Sequence, residues 1–233
     1  NSWSKEGKIE LENGNGIYTT YFYNGHIYYQ TNYKNGEKDG RYIENYMNGS
    51  NKQEIFYKNG KYDGKYTKYY RTGKLEEEIH FKDGIKEGKF TEYYISEKIY
   101  TQGYFKNDNK NGKWTKYYKN GNMESEINYK YGKEEGKSIY YNNNESIIQE
   151  ENIKNGNSYV EKYKYDEDGT LKTIWKYKNG KKDGYKVYTY YDEGQLKEEK
   201  EVRDGKWDGK WISYYENGQI KNEENFKDGK IDG

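Results

Sequence analysis

The sequence predicts an all-β chain, an elongated single-sheet rod built as an antiparallel β-hairpin ladder from about nine repeats of 24 residues. Three observations predict it. Glycines fall in columns 24 residues apart, as in Gly36, Gly60 and Gly84. Tyr-rich segments with alternating polarity lie between clusters of Asn, Asp and Gly, the pattern of strands separated by tight turns. Pro and Ala are both absent, and strong helix signals are absent with them.

The composition sets the kind of core such a chain can have. Hydrophobic residues make up 30% of the chain, and 33 residues are Tyr, so few side chains can be buried without a hydroxyl group to satisfy. Low hydrophobicity alone points towards disorder. The aromatic content of 19% and the near-neutral formal charge of +1 oppose that reading. Tyr favours strands and carries an apolar body with a polar tip, which suits a thin sheet with half-dry faces. No Cys is present, so disulfides and thiolate metal sites are excluded.

The repeat is legible by aligning Tyr57–His80 (YKNGKYDGKYTKYYRTGKLEEEIH) with Phe105–Asn128 (FKNDNKNGKWTKYYKNGNMESEIN), whose starts differ by 105 − 57 = 48, or twice 24. Residues 1–8 form an irregular lead-in. Repeats then begin at Ile9, Tyr33, Tyr57, Phe81, Phe105, Tyr129, Ile153, Tyr177 and Val202, and residues 226–233 form a partial repeat. The unit at Tyr177 carries one extra residue.

Within the unit, Gly recurs at positions 4 and 8 and again at 17, where Asn often precedes it, as in Asn24-Gly25, Asn48-Gly49 and Asn120-Gly121. An Asn-Gly pair between alternating segments predicts a two-residue type I′ hairpin turn at positions 16 and 17. That turn fixes a register in which paired positions sum to 33. Positions 10, 14, 19 and 23 then share one largely apolar face: Tyr66, Tyr70, Leu75 and Ile79, or Trp114, Tyr118, Met123 and Ile127. The other face carries Thr67 opposite Glu78 and a Tyr at position 13. The stretch N-G-K-x-D-G, as in Asn59–Gly64, is expected to reverse the chain between hairpins.

These residues carry a recognisable pattern, G-K-x-x-G-K-W-x-x-Y-Y-x-N-G, seen in Asp204–Gly218 (DGKWDGKWISYYENG). It resembles the MORN repeat, and more closely the bacterial variant often labelled as an antitoxin family, over residues 9–233. The resemblance implies a β-hairpin ladder used for protein or membrane association, without catalysis. The sequence departs from the pattern at Val160, which replaces the position-8 Gly, at Glu97 and Glu145, which replace the turn Gly, and at Asp108, which replaces the position-4 Gly.

No catalytic constellation is apparent. His26 and His80 are the only His residues and occupy non-equivalent positions without metal-ligand spacing. The glycines do not form a phosphate loop, because none opens a helix. No D-F-G or H-R-D motif supports the kinase label found on MORN proteins fused to lipid kinases. Acids such as Asp63 and Glu87 recur unit after unit, which suits a solvated face better than a singular active site. The Lys column at position 2 has its field cancelled by nearby acids, so nucleic acid is not an expected partner.

The binding candidate is the position-13 column, Tyr21, Tyr69, Tyr93, Tyr117, Tyr141, Tyr165, Tyr190 and Tyr214, read as an aromatic platform repeating about every 10 Å. The expected function is a non-enzymatic protein-binding or scaffolding rod that needs no cofactor or metal. Its expected partner is another protein, or a second copy through terminal strands. The alternative is a cell-surface glycan or wall-binding module, suggested by the aromatic hairpin Gly112–Met123. Membrane-surface association and an antitoxin role rest on the resemblance, and the YD-like stretch Tyr165–Leu171 suggests a shell or fibre segment. The composition leans towards an exported or envelope location, with the cytoplasm as the alternative.

Overall fold

The computed structural model describes residues 4–154, 157–165 and 169–232, with the backbone alone described for 4–11. Gly156, Gly233 and the Asp166-Glu167-Asp168 part of the YD-like stretch lie outside the described residues. There is no helix among the described residues, and every described strand pairing is antiparallel. The chain divides into two units, Asn1–Met123 with Asn128–Lys133, and Glu124–Ile127 with Glu134–Gly233.

The first unit contains β1 (Ser4–Glu12), β2 (Asn15–Phe22), β3 (Ile27–Lys34), β4 (Glu37–Asn45), β5 (Asn51–Lys58), β6 (Lys61–Tyr69), β7 (Leu75–Lys82), β8 (Ile85–Tyr93), β9 (Ile99–Lys106) and β10 (Asn109–Tyr117). The residues of β11 (Met123–Lys130) and β12 (Lys133–Glu134) are divided between the units. The second contains β13 (Gly136–Tyr141), β14 (Ile147–Lys154), β15 (Asn157–Tyr165), β16 (Leu171–Lys178), β17 (Lys181–Tyr190), β18 (Leu196–Arg203), β19 (Lys206–Tyr214), β20 (Ile220–Lys227) and β21 (Lys230–Ile231). Inside each unit successive strands pair in chain order, a ladder of consecutive hairpins. Ser4–Lys8 of the lead-in lies within β1 and pairs with β2.

The two turns of the repeat exchange the roles expected from sequence. The two-residue type I′ turn is at positions 3 and 4, where both residues have positive φ: Asn59 and Gly60 at 49° and 72°, Asp83 and Gly84 at 50° and 87°. At the other end the loop is Arg71-Thr72-Gly73, and only Gly73 has positive φ, at 85°. It is closed by Tyr70 N–H donating to the Lys74 carbonyl at 2.8 Å and Gly73 N–H donating to the Tyr70 carbonyl at 2.8 Å. This is the three-residue hairpin loop, a type I turn followed by a left-handed residue.

The longer loop displaces Tyr69 onto Leu75 instead of Glu76, and a bulge between Lys68 and Tyr69 absorbs the displacement. From Lys68↔Glu77 through Tyr66↔Ile79 the register is the predicted one. The consequence is local. Tyr66 and Ile79 share a face as expected, whereas Leu75 lies on the face of Tyr69 and not on that of Tyr70.

A second offset sits beside the position-8 Gly. Ile79 faces Phe90 while Phe81 faces Lys86, so Glu87-Gly88-Lys89 lies opposite His80 alone. Gly88 holds φ 103° there. Where Val160 replaces this Gly, β14 and β15 pair without a shift from Gln149↔Lys162 to Lys154↔Asn157. Asp108, Glu97 and Glu145 keep the backbone of the glycines they replace, with φ of 62°, 67° and 63°. The extra residue of the Tyr177 repeat is taken up near Gly184, leaving Trp175↔Tyr185 and Tyr177↔Lys182.

The core of the first unit is one sheet face covered by rings. Ile55 and Ile79, 3% and 1% exposed, sit between Tyr42, Tyr66 and Phe90 in successive strands. The third place in that row is Gly103, where the rings of Phe90 and Trp114 stack across the intervening strand at 5.4 Å and 29°. Trp114 also packs edge-on to Phe105 at 5.1 Å and donates its indole N–H to the Tyr104 carbonyl at 3.2 Å. Burial holds the hydroxyl of Tyr66 neutral, pushing its pKa up to about 12, and shifts Tyr42 and Tyr57 in the same direction.

Candidate binding face

The face opposite the ring-covered core is built from positions 9, 11, 13, 19, 22 and 24. Along its centre runs a buried row of Thr19, Thr67, Thr91 and Thr115, short enough to sit beneath the longer side chains around them. The position-13 tyrosines flank this row. All eight candidates, Tyr21, Tyr69, Tyr93, Tyr117, Tyr141, Tyr165, Tyr190 and Tyr214, are half-buried, so their rings are not a free platform.

The three-residue loop explains this. It brings the position-19 aliphatic across from seven of the eight: Ile27 faces Tyr21, Leu75 faces Tyr69, Ile99 faces Tyr93, Ile147 faces Tyr141, Leu171 faces Tyr165, Leu196 faces Tyr190 and Ile220 faces Tyr214. An aromatic ring opposite an aliphatic side chain is a favourable cross-strand pair. One ring side is thus spent on the hairpin, and the rim and hydroxyl remain for other contacts.

The hydroxyls join a polar network that the sequence reading missed. Position 9 is usually Lys or Arg, and position 22 is usually Glu. They pair diagonally across the hairpin: Arg41 with Glu54 through two bonds of 2.5 and 3.1 Å, Lys65 with Glu78, Lys137 with Glu150 at 2.8 Å, and Lys210 with Glu223 at 2.5 Å. Hydrogen bonding to Glu78 raises the Lys65 pKa above the ordinary lysine value. Position-22 carboxylates also accept from the position-13 Tyr of the next repeat, Tyr93 to Glu78 at 3.4 Å and Tyr214 to Glu199 at 2.8 Å, although in the latter repeat Lys186 pairs with Glu201 instead. The hydrogen bond to Glu199, reinforced by burial, pushes Tyr214 up to about 12. The fixed Lys/Arg and Glu spacing was visible in the sequence, but the unit had been read by columns, not by cross-strand diagonals.

Other singled-out residues have local roles. Asp63 accepts the backbone N–H of Asp83 at 3.2 Å, and Glu87 accepts that of Asn107 at 2.9 Å, so these acids cap the type I′ turn of the following repeat. His26 bonds the Met47 carbonyl through Nδ1 at 3.1 Å, and His80 is exposed on the candidate face. No cluster of three metal-ligating side chains occurs among the described residues. Four of the tyrosines at position 14 tie repeats together: Tyr46, Tyr70 and Tyr94 donate to the carbonyls of Tyr69, Tyr93 and Tyr117 at 2.8, 2.6 and 2.7 Å, and Tyr191 to that of Tyr214 at 2.8 Å.

Consecutive hairpins of one pattern, each bonded to the next by turn and Tyr-hydroxyl contacts, define a tandem-repeat β protein. Five segments, residues 14–35, 62–83, 110–131, 186–204 and 207–228, match the model of the MORN repeat variant, so the chain carries MORN-variant repeats. No curated protein matches the chain. Among solved structures, it is similar to a chain in the crystal structure of TcdB2-TccC3-Cdc42, with 14% identity and a TM-score of 0.24, covering 92% of this chain and 14% of that one. A porin-like protein from Bacteroides uniformis ATCC 8492 is similar at 9% identity and a TM-score of 0.21, covering 97% of this chain and 95% of that one. TM-scores this low carry no functional argument.

Proposed function

We propose that the chain is a non-enzymatic binding repeat whose partner is another protein, engaged along the face of position-9 cations, position-22 carboxylates and position-13 tyrosine rims. The observation that supports this most is the recurrence of the parts of the Lys65–Glu78–Tyr93 network: the ion pair returns at Arg41–Glu54, Lys137–Glu150 and Lys210–Glu223, and the Tyr–carboxylate bond at Tyr214–Glu199. A repeated surface of mixed charge and aromatic edges suits contacts distributed over several units, each modest and together sufficient. Aromatic rims held by the fold lose little conformational entropy on binding.

The test is capture of partners by the full chain and by a variant with Tyr69, Tyr93 and Tyr117 replaced by Val. Val retains the strand preference and the aliphatic contact with Leu75 and Ile99 while removing ring edge and hydroxyl. Partner capture is expected to fall while circular dichroism remains that of the wild type. Capture unchanged by a folded triple variant would remove the reading.

A glycan-binding module is the second reading. It is supported by a groove of about 460 Å³ in the second unit, whose lining includes Trp211, Tyr191, Tyr215, Lys221 and Asn222. A glycan array with the same chain distinguishes the two.

A further inference from the structure

Among the repeats that carry a cation at position 9, one lacks the position-22 carboxylate. In the repeat beginning at Phe81 the position-9 cation is Lys89, but position 22 is Gln102 in place of Glu. Among the described residues Lys89 makes no ion pair. The hydroxyl of the following position-13 Tyr is affected too. In place of Tyr donating to a carboxylate, the Gln102 amide donates to the Tyr117 hydroxyl at 3.2 Å. Tyr117 accepts that bond with an oxygen lone pair, and its own O–H proton is left to donate elsewhere.

Both donors therefore lack the carboxylate that serves their counterparts Lys65 and Tyr93. Lys89 lines a groove of about 350 Å³ together with Gln102, Gly103, Tyr104, Lys113 and Thr115, and Tyr117 reaches its edge through the hydrogen bond from Gln102. Tyr104 is 56% exposed at its edge, although large aromatic side chains are usually well covered.

We propose that this groove receives an acidic side chain of a partner polypeptide, its carboxylate taking bonds from Lys89 Nζ and the Tyr117 hydroxyl, with Tyr104 packing against the flanking partner residue. The inference rests on the protein-binding reading and names the chemistry of its anchor. The rest of the face decides between a single carboxylate and a polyanion. Elsewhere the cations are already neutralised by their own glutamates, as at Arg41 and Lys65 in the same unit, so a strand of many negative charges would meet Glu54 and Glu78 on the preceding hairpins. A largely neutral extended segment bearing one Glu or Asp meets no such repulsion. In the neighbouring repeats the carboxylate is itself presented by a strand residue, so an extended peptide can offer it in like geometry.

The experiment is an NMR titration of the full chain with a short synthetic peptide, one Glu flanked by alternating Thr and Tyr, and with its Gln counterpart. Shift changes are expected at Lys89, Gln102, Tyr104 and Tyr117, with the Gln peptide binding about ten-fold more weakly, as loss of one charge-assisted hydrogen-bonded pair requires. Gln102→Glu supplies the missing carboxylate from within and should reduce Glu-peptide binding by a similar factor without loss of folding. Glu78→Gln opens the equivalent place at Lys65 and Tyr93, and should add a second set of shifted resonances there.

Equal binding of both peptides, no binding of either, or indifference to Gln102→Glu would each overturn the proposal. If Gln102→Glu leaves natural-partner capture intact while the Tyr→Val triple variant loses it, the acidic anchor fails and the Tyr-face reading stands.

Discussion

Replacing Gly103 by Ala separates the packing argument from backbone propensity, because the two predict opposite signs. Gly in a strand interior costs about 0.5–1 kcal/mol relative to Ala through chain entropy, and Gly103 does not hold a positive φ, so propensity alone makes the substitution stabilising. The structure says otherwise. A Cβ at this position would lie 2.5 Å from the Trp114 Cγ and closer still to two other ring atoms, so the indole must move.

Moving it weakens the Phe90 stack, about 0.5–1.5 kcal/mol, and lengthens the indole hydrogen bond to the Tyr104 carbonyl, about 1 kcal/mol net and more if the N–H is left buried without a partner. Against an entropic gain below about 1 kcal/mol, the net expectation is destabilisation of about 1–2 kcal/mol. Because repeats couple mainly to their neighbours, amide exchange read residue by residue is the assay, with faster exchange expected in β8, β9 and β10 and little change in β3. In a Trp114→Ala background the same Gly103→Ala substitution should become neutral or stabilising. Stabilisation in the wild-type background would refute the claim that Gly103 is there to seat the indole.

The turn assignment makes an ordered pair of expectations. Asn59→Ala places a non-glycine, non-Asx residue at φ 49° and should cost about 1–2 kcal/mol, whereas Thr72→Ala, at a position without positive φ, should stay within about 0.5 kcal/mol in denaturant melts; the reverse order would restore the type I′ turn to positions 16 and 17. Alkaline stability follows from the buried phenols. Tyr29 and Tyr66 are pushed to about 12 by burial, with Tyr18 adding to the shift at Tyr29, so the fold holds their neutral forms. This contribution is fully present below the unfolded tyrosine value of about 10 and is lost as pH rises from there towards 12. Denaturant midpoints should fall over that window, and less steeply in Tyr66→Phe; an unchanged slope in that variant would count against buried phenol as the cause.

The strands, their antiparallel pairing and the opposition of Tyr66 to Ile79 were legible because alternation and glycine spacing act through strand geometry alone. The turn types were not, because the same Asn-Gly dipeptide occurs at both ends of the hairpin. A signal was nevertheless present. Position 3 is Asn35, Asn59, Asp83, Asn107, Asn179, Asp204 and Asp228, residues that tolerate the left-handed region, while position 16 admits Thr72, Ser96 and Glu193. Tyr131, at φ 51°, weakens the column, as does Leu11 in the first repeat, whose positive-φ pair is Asn13 and Gly14. The tyrosine platform was misread for the same reason, since a two-residue loop would have sent Leu75 to the other face. The Gln102 substitution was plain in the sequence, but its meaning depended on the diagonal pairing of Lys65 with Glu78, which exists only once strands are placed side by side.

The capping of one hairpin by its neighbour also bears on how such an array can grow. The first N–H of the type I′ turn is bound by an acid from the preceding unit at Asn59, Asp83, Asn107 and Asp228, and by the Asn15 amide oxygen at Asn35, while Tyr46 completes its hydroxyl bond on Tyr69 of the following unit. A repeat that keeps these residues thus presents the same acceptors on one side and the same donors on the other, like a coupling with matched ends. Duplication or deletion of a complete unit restores every such joint with the new neighbour, and a change of one residue is tolerated beside a glycine bulge, as at Gly184, without breaking the strands on either side. Array length is then free to vary in steps of one hairpin while the pairing of a position-9 Lys with Gln102, carried by a single unit, travels with it as a movable address.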